Sequence, residues 1–565
     1  MFAVKQGPDG TVHRLKARFV ARGFTQQQGL DYDGNFSPVA KLNTVRVLIS
    51  LAVHRHWALH QLDVKNAFLN GDLQEIVYMQ QPPGFETTGV SLVCCLNKSL
   101  YGLKQSLRAW FDKFSKIVSD VGFTRSSAEF SLFTRHRPTG TVILLVYVDD
   151  ILITGDDLPG IRMIKQHLAT VFQTKDLVNL RYFLGLKVAR RPDGLVLSQR
   201  KYCLDLFHDA GYSGCKPADT PMDINHMLCA HASDSDLLLP NPEYYRRLVG
   251  KLIYLTVTRP DISFVVGVAV GRILRYLKTA PGQGLVYNPS SSPLSLIAYS
   301  DVAYACSLDD RFSTSGYCTY FGGHLITWRS KKQFVVARSS AESEYRSMTT
   351  VLYELTWLEG LLYDLGVKLS SPATLFCDSQ AAIHIAKNLV FHERTKHIEV
   401  DCHFIREKVQ LKKIELTHVP AAQQAYKRVG GMKHNGDVGR GVIGVSDITY
   451  MMCFATSSPL SRFALLLGLH SLLAWTQTLG LLIAIARLPA HSARLAAGLQ
   501  SAKALLAACL ALLQATTLQV VVARLVAASP VRSYPSRNFY CPQLLHAIAS
   551  PDRSFSKPQL LFSRP

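Results

Sequence analysis

The chain has 565 residues, 62 Lys+Arg against 41 Asp+Glu, a formal net charge of +21 and 48% hydrophobic residues. Length excludes a single small domain and apolar content excludes global disorder, so three or four domains with real cores are expected. The basic excess points to a polyanionic partner, either nucleic acid or an acidic membrane surface. Twelve cysteines with no C-x-x-C spacing fit neither a disulfide scaffold nor a zinc finger, and reduced thiols are expected. The N-terminus (Met1-Phe2-Ala3-Val4-Lys5-Gln6-Gly7) carries no apolar signal region, so the expectation is an intracellular, non-secreted protein.

In chain order, the first informative run is Arg14-Leu15-Lys16-Ala17-Arg18-Phe19. It alternates strictly, which on a strand gives a basic face backed by an apolar one. That face suits phosphate contact or plain solvation. Asp63 follows the strand-like run Leu59-His60-Gln61-Leu62 and precedes apolar Ala67-Phe68-Leu69. From Thr141 to Gly155 two apolar β runs flank Asp149-Asp150 and read as a tight hairpin. Adjacent carboxylates between core-like runs repel each other in a place poor in water, unless they form a solvated turn. A divalent cation resolves the conflict, and the three aspartates together suit two-metal phosphoryl transfer.

The Ser/Pro cluster from Asn288 to Pro293 is a candidate linker. After it, Leu294–Ser300 is a strand expected to end at Asp301. Tyr317–Trp328 is a hairpin turning on Gly322-Gly323. Ser339 is a helix cap, with Tyr345, Met348, Leu352 and Leu355 on one helix face and Glu344 bordering it. The strand Thr374–Cys377 ends at Asp378. Asp301, Glu344 and Asp378 are either ordinary surface acids or a second metal-holding group. His392, His397, Cys402 and His403 match no common zinc spacing and are taken as structural. From Tyr426 to Pro565 there are 14 Lys+Arg, three acids and no Glu in an Ala/Leu-rich tail. That tail contributes about half of the net charge. Phe463–Ala486 and Ala504–Ala523 are uncharged over 24 and 20 positions. They are long enough to span a bilayer, but their Ser, Thr, Gln and His content argues against it.

Several ordered words carry a family resemblance. They include Lys16-Ala17-Arg18-Phe19-Val20-Ala21-Arg22-Gly23-Phe24, Gln61-Leu62-Asp63-Val64-Lys65-Asn66-Ala67-Phe68-Leu69, Ser99-Leu100-Tyr101-Gly102-Leu103-Lys104-Gln105 and Tyr147-Val148-Asp149-Asp150. Further on come Thr258-Arg259-Pro260-Asp261-Ile262, Ser339-Ser340-Ala341-Glu342-Ser343-Glu344-Tyr345 and Cys377-Asp378-Ser379-Gln380-Ala381-Ala382. Residues 3–425 resemble the reverse transcriptase and RNase H of copia-type LTR retrotransposon Pol polyproteins. The resemblance implies an α/β (α+β) chain with a palm/fingers polymerase fold in 1–160 and a thumb- or connection-like region in 161–285. It further implies an RNase H-like mixed sheet in 294–425, and the irregular tail 426–565 lies outside it.

By the same resemblance, Asp63, Asp149 and Asp150 hold two Mg²⁺ ions, with Mn²⁺ able to substitute. Lys16 and Arg18 contact the dNTP triphosphate, Phe68 is the steric gate against a ribose 2′-OH, and Tyr101, Gly102 and Lys104 line the dNTP and template. Asp301, Glu344 and Asp378 hold the two metals of the nuclease. The implied partners are RNA template, DNA primer, RNA–DNA hybrid and dNTPs, in a cytoplasmic particle or the nucleus, with no membrane partner. The pattern also breaks. Lys427 stands where the family has a fourth carboxylate, Leu107 replaces a Pro, and the stretch between Val265 and Arg272 is short. The expected function is an RNA-directed DNA polymerase with an impaired RNase H. The alternative is a catalytically dead remnant that only binds nucleic acid.

Overall fold

The computed structural model describes residues 2–420 apart from 7–10, 18, 88–91, 223–240, 268–269, 290–292, 308 and 389–398. Arg18, His392, His397, Lys427, the two uncharged runs and the whole tail therefore lie outside the described residues. Among the described residues no helix is long and apolar enough to cross a membrane.

Strands β1 (Phe2–Gln6) and β2 (Val12–Ala17) form an antiparallel ribbon that places Lys16 opposite Ala3. Helix α1 (Leu42–His54) follows. Ten consecutive residues of it, Thr44 to Val53, are buried. A helix buried on every side must be covered on every side, and α1 is wedged between two sheets described below. Next come β3 (Ala58–Val64), the short pair β4 (Tyr78–Gln80) and β5 (Val93–Cys95), and α2 (Ser106–Asp120). Then β6 (Thr124–Arg125), β7 (Leu132–Arg137), β8 (Gly140–Tyr147), β9 (Asp150–Gly155), α3 (Leu158–Val171) and β10 (Thr174–Asp176) complete a six-stranded sheet in the order β10-β3-β9-β8-β7-β6.

This sheet explains the apolar runs around Asp149-Asp150. Val142, Leu144 and Val146 of β8 face the core made with α2 and α3, while Ile143 and Leu145 face the core that contains α1. Both faces are covered, so the strand needs no polar alternation. Because β10 pairs with β3, the boundary expected after residue 160 falls inside α3, and the first sheet extends to Asp176.

A four-stranded sheet follows in the order β11-β12-β13-β14, from β11 (Tyr182–Phe183), β12 (Leu186–Arg191), β13 (Gly194–Ser198) and, beyond α4 (Arg200–Asp209), α5 (Pro242–Leu255) and α6 (Val270–Thr279), β14 (Gly284–Tyr287). The three helices share their own core. The word Thr258–Ile262 has a structural role there. Arg259 forks onto Asp261 at 3.0 and 2.6 Å with both side chains buried, and Tyr276 Oη donates to the same carboxylate at 2.9 Å.

The last sheet has the order β17-β16-β15-β18-β19. Strands β15 (Leu296–Ala303), β16 (Thr314–Phe321) and β17 (His324–Lys332) are antiparallel. The β16–β17 turn is Gly322-Gly323 with φ of 56° and 83°, as anticipated. Helix α7 (Ser340–Asp364) starts at its Ser339 cap, whose hydroxyl accepts from Glu342 N–H. Strand β18 (Ala373–Cys377) is parallel to β15, and after α8 (Gln380–Lys387) and α9 (Glu399–Gln410), β19 (Ile414–His418) is parallel to β18. Asp301 sits inside β15, two residues before its end, and not at the expected strand terminus.

The first and last sheets meet through α1. Arg46, 5% exposed, donates to Ile326 O at 2.9 Å and Val257 O at 2.8 Å, and its guanidinium lies 4.0 Å from the Trp328 ring centroid. Burial pulls its pKa down to about 10. Ser50 bonds His324 Nδ1 at 2.7 Å, and Asp364 accepts from Ser126 and the Ser127 and Ala128 amides at 2.7–3.2 Å.

Candidate functional site

Two acid groups form. In the first, Asp63 on β3 lies directly opposite Asp150 on β9, and Asp149 occupies the β8–β9 turn between Tyr147 and Asp150. Opposite residues of an antiparallel pair have Cβ atoms about 4.5–5.5 Å apart, and like charges there destabilise the sheet. All three aspartates are half-buried. Burial pushes the Asp150 carboxyl up. The Gln61 amide, which donates to Asp150 Oδ1 at 2.9 Å, opposes that shift, while Asp149 and Asp63 add to it. On the other side of β3, Lys175 of β10 is the register partner of Asp63 and is exposed. Sequence reading missed both Gln61 and Lys175, because only the pairing register brings them to the acids.

The turn itself is unusual. Val148 has φ of 55°, which is strained for a β-branched residue. Its carbonyl accepts from the buried Trp110 indole at 2.7 Å, and Asp149 O accepts from Val64 N–H at 2.8 Å.

Of the expected nucleotide-lining residues, two side chains are in contact. Phe68 and Tyr101 make an edge contact with ring centroids 5.0 Å apart. Tyr101 bridges Val20, and Ala21 N–H donates to Tyr101 O at 2.7 Å. Gly102, with φ of 95°, is required there, because a Cβ would stand 2.2 Å from Ala21 O. Lys104 is exposed, and its N–H donates to Gln26 Oε1 at 2.8 Å. Lys16 lies on β2 with its backbone alone described.

The second group is deeper. Parallel pairing sets Ser300 beside Cys377, so Asp301 and Asp378 are the next residues along neighbouring strands. Ser300 Oγ bonds Ser347 Oγ at 2.9 Å and draws the first turns of α7 over β15. Glu344, 6% exposed, then faces both aspartates. Burial, with the charges of Asp378 and Asp301, pushes its carboxyl up to about 9. Burial also raises Asp378, while nearby His418, whose Nε2 bonds Asp378 O at 3.0 Å, opposes the shift.

Ligand atoms of Glu344, Cys377 and Asp378 all lie within 4.8 Å of one another. Among the described residues no other such trio closes so far. Two carboxylates and a thiol at that spacing offer ligand atoms that could hold a divalent cation. Cys377, inside a family word, carried no sequence signal as a ligand. It points at Glu344 only because alternate residues of β18 face α7.

Residues 1–224 match the family model described as reverse transcriptase (RNA-dependent DNA polymerase). The Retrovirus-related Pol polyprotein from transposon RE2 of Arabidopsis thaliana is 43% identical over 439 residues, 75% of this chain and 30% of its own length. A transposon Ty5-1 protein of Saccharomyces cerevisiae is 31% identical over 312 residues, 52% of this chain and 100% of its own. The chain thus spans about a third of the larger relative. The crystal structure of Prototype Foamy Virus Protease-Reverse Transcriptase covers 74% of this chain and 49% of its own at 12% identity with a TM-score of 0.18, an overlap too slight to bear on the fold.

Proposed function

We infer function from one premise: the chain belongs to the family of copia-type retrotransposon Pol polyproteins and carries their reverse transcriptase domain. On that premise the first sheet is the palm, the β1–β2 ribbon and the segment to Gly23 belong to the fingers, and the last sheet is an RNase H-like module. The reading is RNA-directed DNA synthesis, with dNTPs, an RNA template and a DNA primer as partners, followed by attack on the RNA of the hybrid. The observation that carries it is Asp63 directly opposite Asp150, with Asp149 in the connecting turn.

Asp63, Asp149 and Asp150 would hold two hard divalent ions, Mg²⁺ by ligand type. Such ions activate the primer 3′-hydroxyl and stabilise the departing pyrophosphate. The Phe68–Tyr101 edge forms the wall against which a ribose 2′-OH would clash, and Lys104 supplies positive charge for the triphosphate, to which the resemblance adds Lys16 and Arg18. Gln61 orients Asp150, leaving that carboxylate's second oxygen for a metal. Asp301, Glu344 and Asp378 would hold the metals of hybrid hydrolysis.

Primer extension on an RNA template with Mg²⁺ tests the reading. Asp149→Asn is expected to lower incorporation by more than the ~100-fold that loss of a residue behind a ligand costs. Equal background from the two proteins would return the chain to a nucleic-acid-binding remnant.

A further inference from the structure

We propose that Trp110 is a positioning residue for polymerisation: its indole N–H holds the Val148 peptide and thereby fixes where the Asp149 and Asp150 carboxylates stand. The proposal rests on the reverse transcriptase reading of that acid group.

The turn between β8 and β9 is two residues long, and its first residue, Val148, has φ of 55°. Turns of this kind favour Gly, Asn or Asp at positive φ, and a β-branched residue stays there only when its surroundings hold it. Three donors do so. Trp110 Nε1 bonds Val148 O at 2.7 Å, Val64 N–H bonds Asp149 O at 2.8 Å, and Gln61 Nε2 bonds Asp150 Oδ1 at 2.9 Å. The last two come from β3, which is already paired with β9. Trp110 alone of the three comes from α2, the helix that begins directly after the Tyr101–Gln105 loop.

Its indole is fixed in turn. Trp110 is 1% exposed, with ring centroids 4.9 Å from Phe172 and 5.7 Å from Phe114. The N–H therefore has one direction, toward the turn. One rigid helix links the nucleotide-lining loop to the strained turn that carries the metal-facing acids. A residue that merely filled this space would need no donor, and Phe would serve.

The test uses the full chain. Mn²⁺ binding is followed by electron paramagnetic resonance, and the component that disappears in Asp149→Asn is assigned to this site. Trp110→Phe is expected to weaken that component about tenfold. Primer-extension kcat should also fall about tenfold with dNTP KM held within about twofold, as for a residue acting behind a metal ligand. In a Val148→Gly background the same change is expected to cost less than about threefold, because Gly adopts positive φ unaided.

The proposal is overturned if Trp110→Phe lowers only the melting temperature, if the loss is equal in both backgrounds, or if the parent chain shows no Asp149-dependent Mn²⁺ component. A parent chain that binds Mn²⁺ through Asp149 but incorporates no nucleotide removes the polymerase reading, while the Mn²⁺ data still decide the role of Trp110.

Discussion

The two acid groups solve one electrostatic problem in opposite ways. Where β3 meets the β8–β9 hairpin the three aspartates are half-buried, with a lysine across one strand and an amide clamping one carboxylate. At the second group Asp301 and Asp378 are likewise half-buried, but Glu344 of α7 is buried against them and is held largely neutral without a cation. In the open group burial also pushes the Asp150 carboxyl up, with the Gln61 amide opposing it. The closed group must release a proton before it takes a metal. Water access, more than the number of carboxylates, sets the difference.

The sharpest way to break this comparison is to remove one acid from each side. Asp149→Asn is expected to abolish primer extension, by more than ~100-fold, and leave hybrid hydrolysis intact. Glu344→Gln should do the reverse, and gel assays of both products on one hybrid substrate read it. If either change silences both reactions equally, the two groups do not act separately.

The next effect is on pH. A carboxyl at about 9 is mostly protonated at neutral pH. Each Mg²⁺ that displaces its proton binds about tenfold more tightly per pH unit up to that point. Hydrolysis should therefore need less Mg²⁺ for half-saturation as pH climbs from 7 toward about 9. Mg²⁺ titrations of hydrolysis across pH would show it, and a half-saturation that does not move with pH would contradict it.

A smaller effect is expected from Gly102→Ala. It puts a Cβ against Ala21 O and a strained φ on a non-glycine residue, costing on the order of 1–3 kcal/mol. The loss should concentrate in dNTP KM, measured by steady-state kinetics. The smallest is on stability. Glu344 has an ordinary value of 4.5 and a folded value of about 9, so the folded state keeps a proton that the unfolded chain releases. Stability without metal therefore falls as pH rises between those values. Glu344→Gln should raise the metal-free melting temperature at pH 8 by about 2–4 °C and leave it unchanged below pH 4.5.

Much of this was legible in residues that obey local rules. The Asp149-Asp150 hairpin, the Gly322-Gly323 turn and the Ser339 cap are short-range features, and each stands where its pattern puts it. What stayed hidden depends on register or on distant partners. Gln61 and Lys175 meet the acids only through pairing of β3 with β9 and β10. Cys377 joins the second group only because α7 covers one face of β18. That the first sheet reaches past residue 160 was hidden too, because β10 returns to it after a whole helix, a contact that no local periodicity encodes. Arg259 and Asp261, conspicuous in their word, turned out to bind each other.

Arg46 carries a consequence for how the chain is made. Its partner Ile326 O lies 280 residues downstream. At ribosomal speeds of about 5–20 residues per second, that partner is synthesised roughly a quarter of a minute to a minute later. Throughout that interval the face of α1 that packs against β17 has no strand to cover it, and the Arg46 guanidinium lacks its Ile326 acceptor. The nascent first sheet must wait with that flank of α1 uncovered until the last sheet is made.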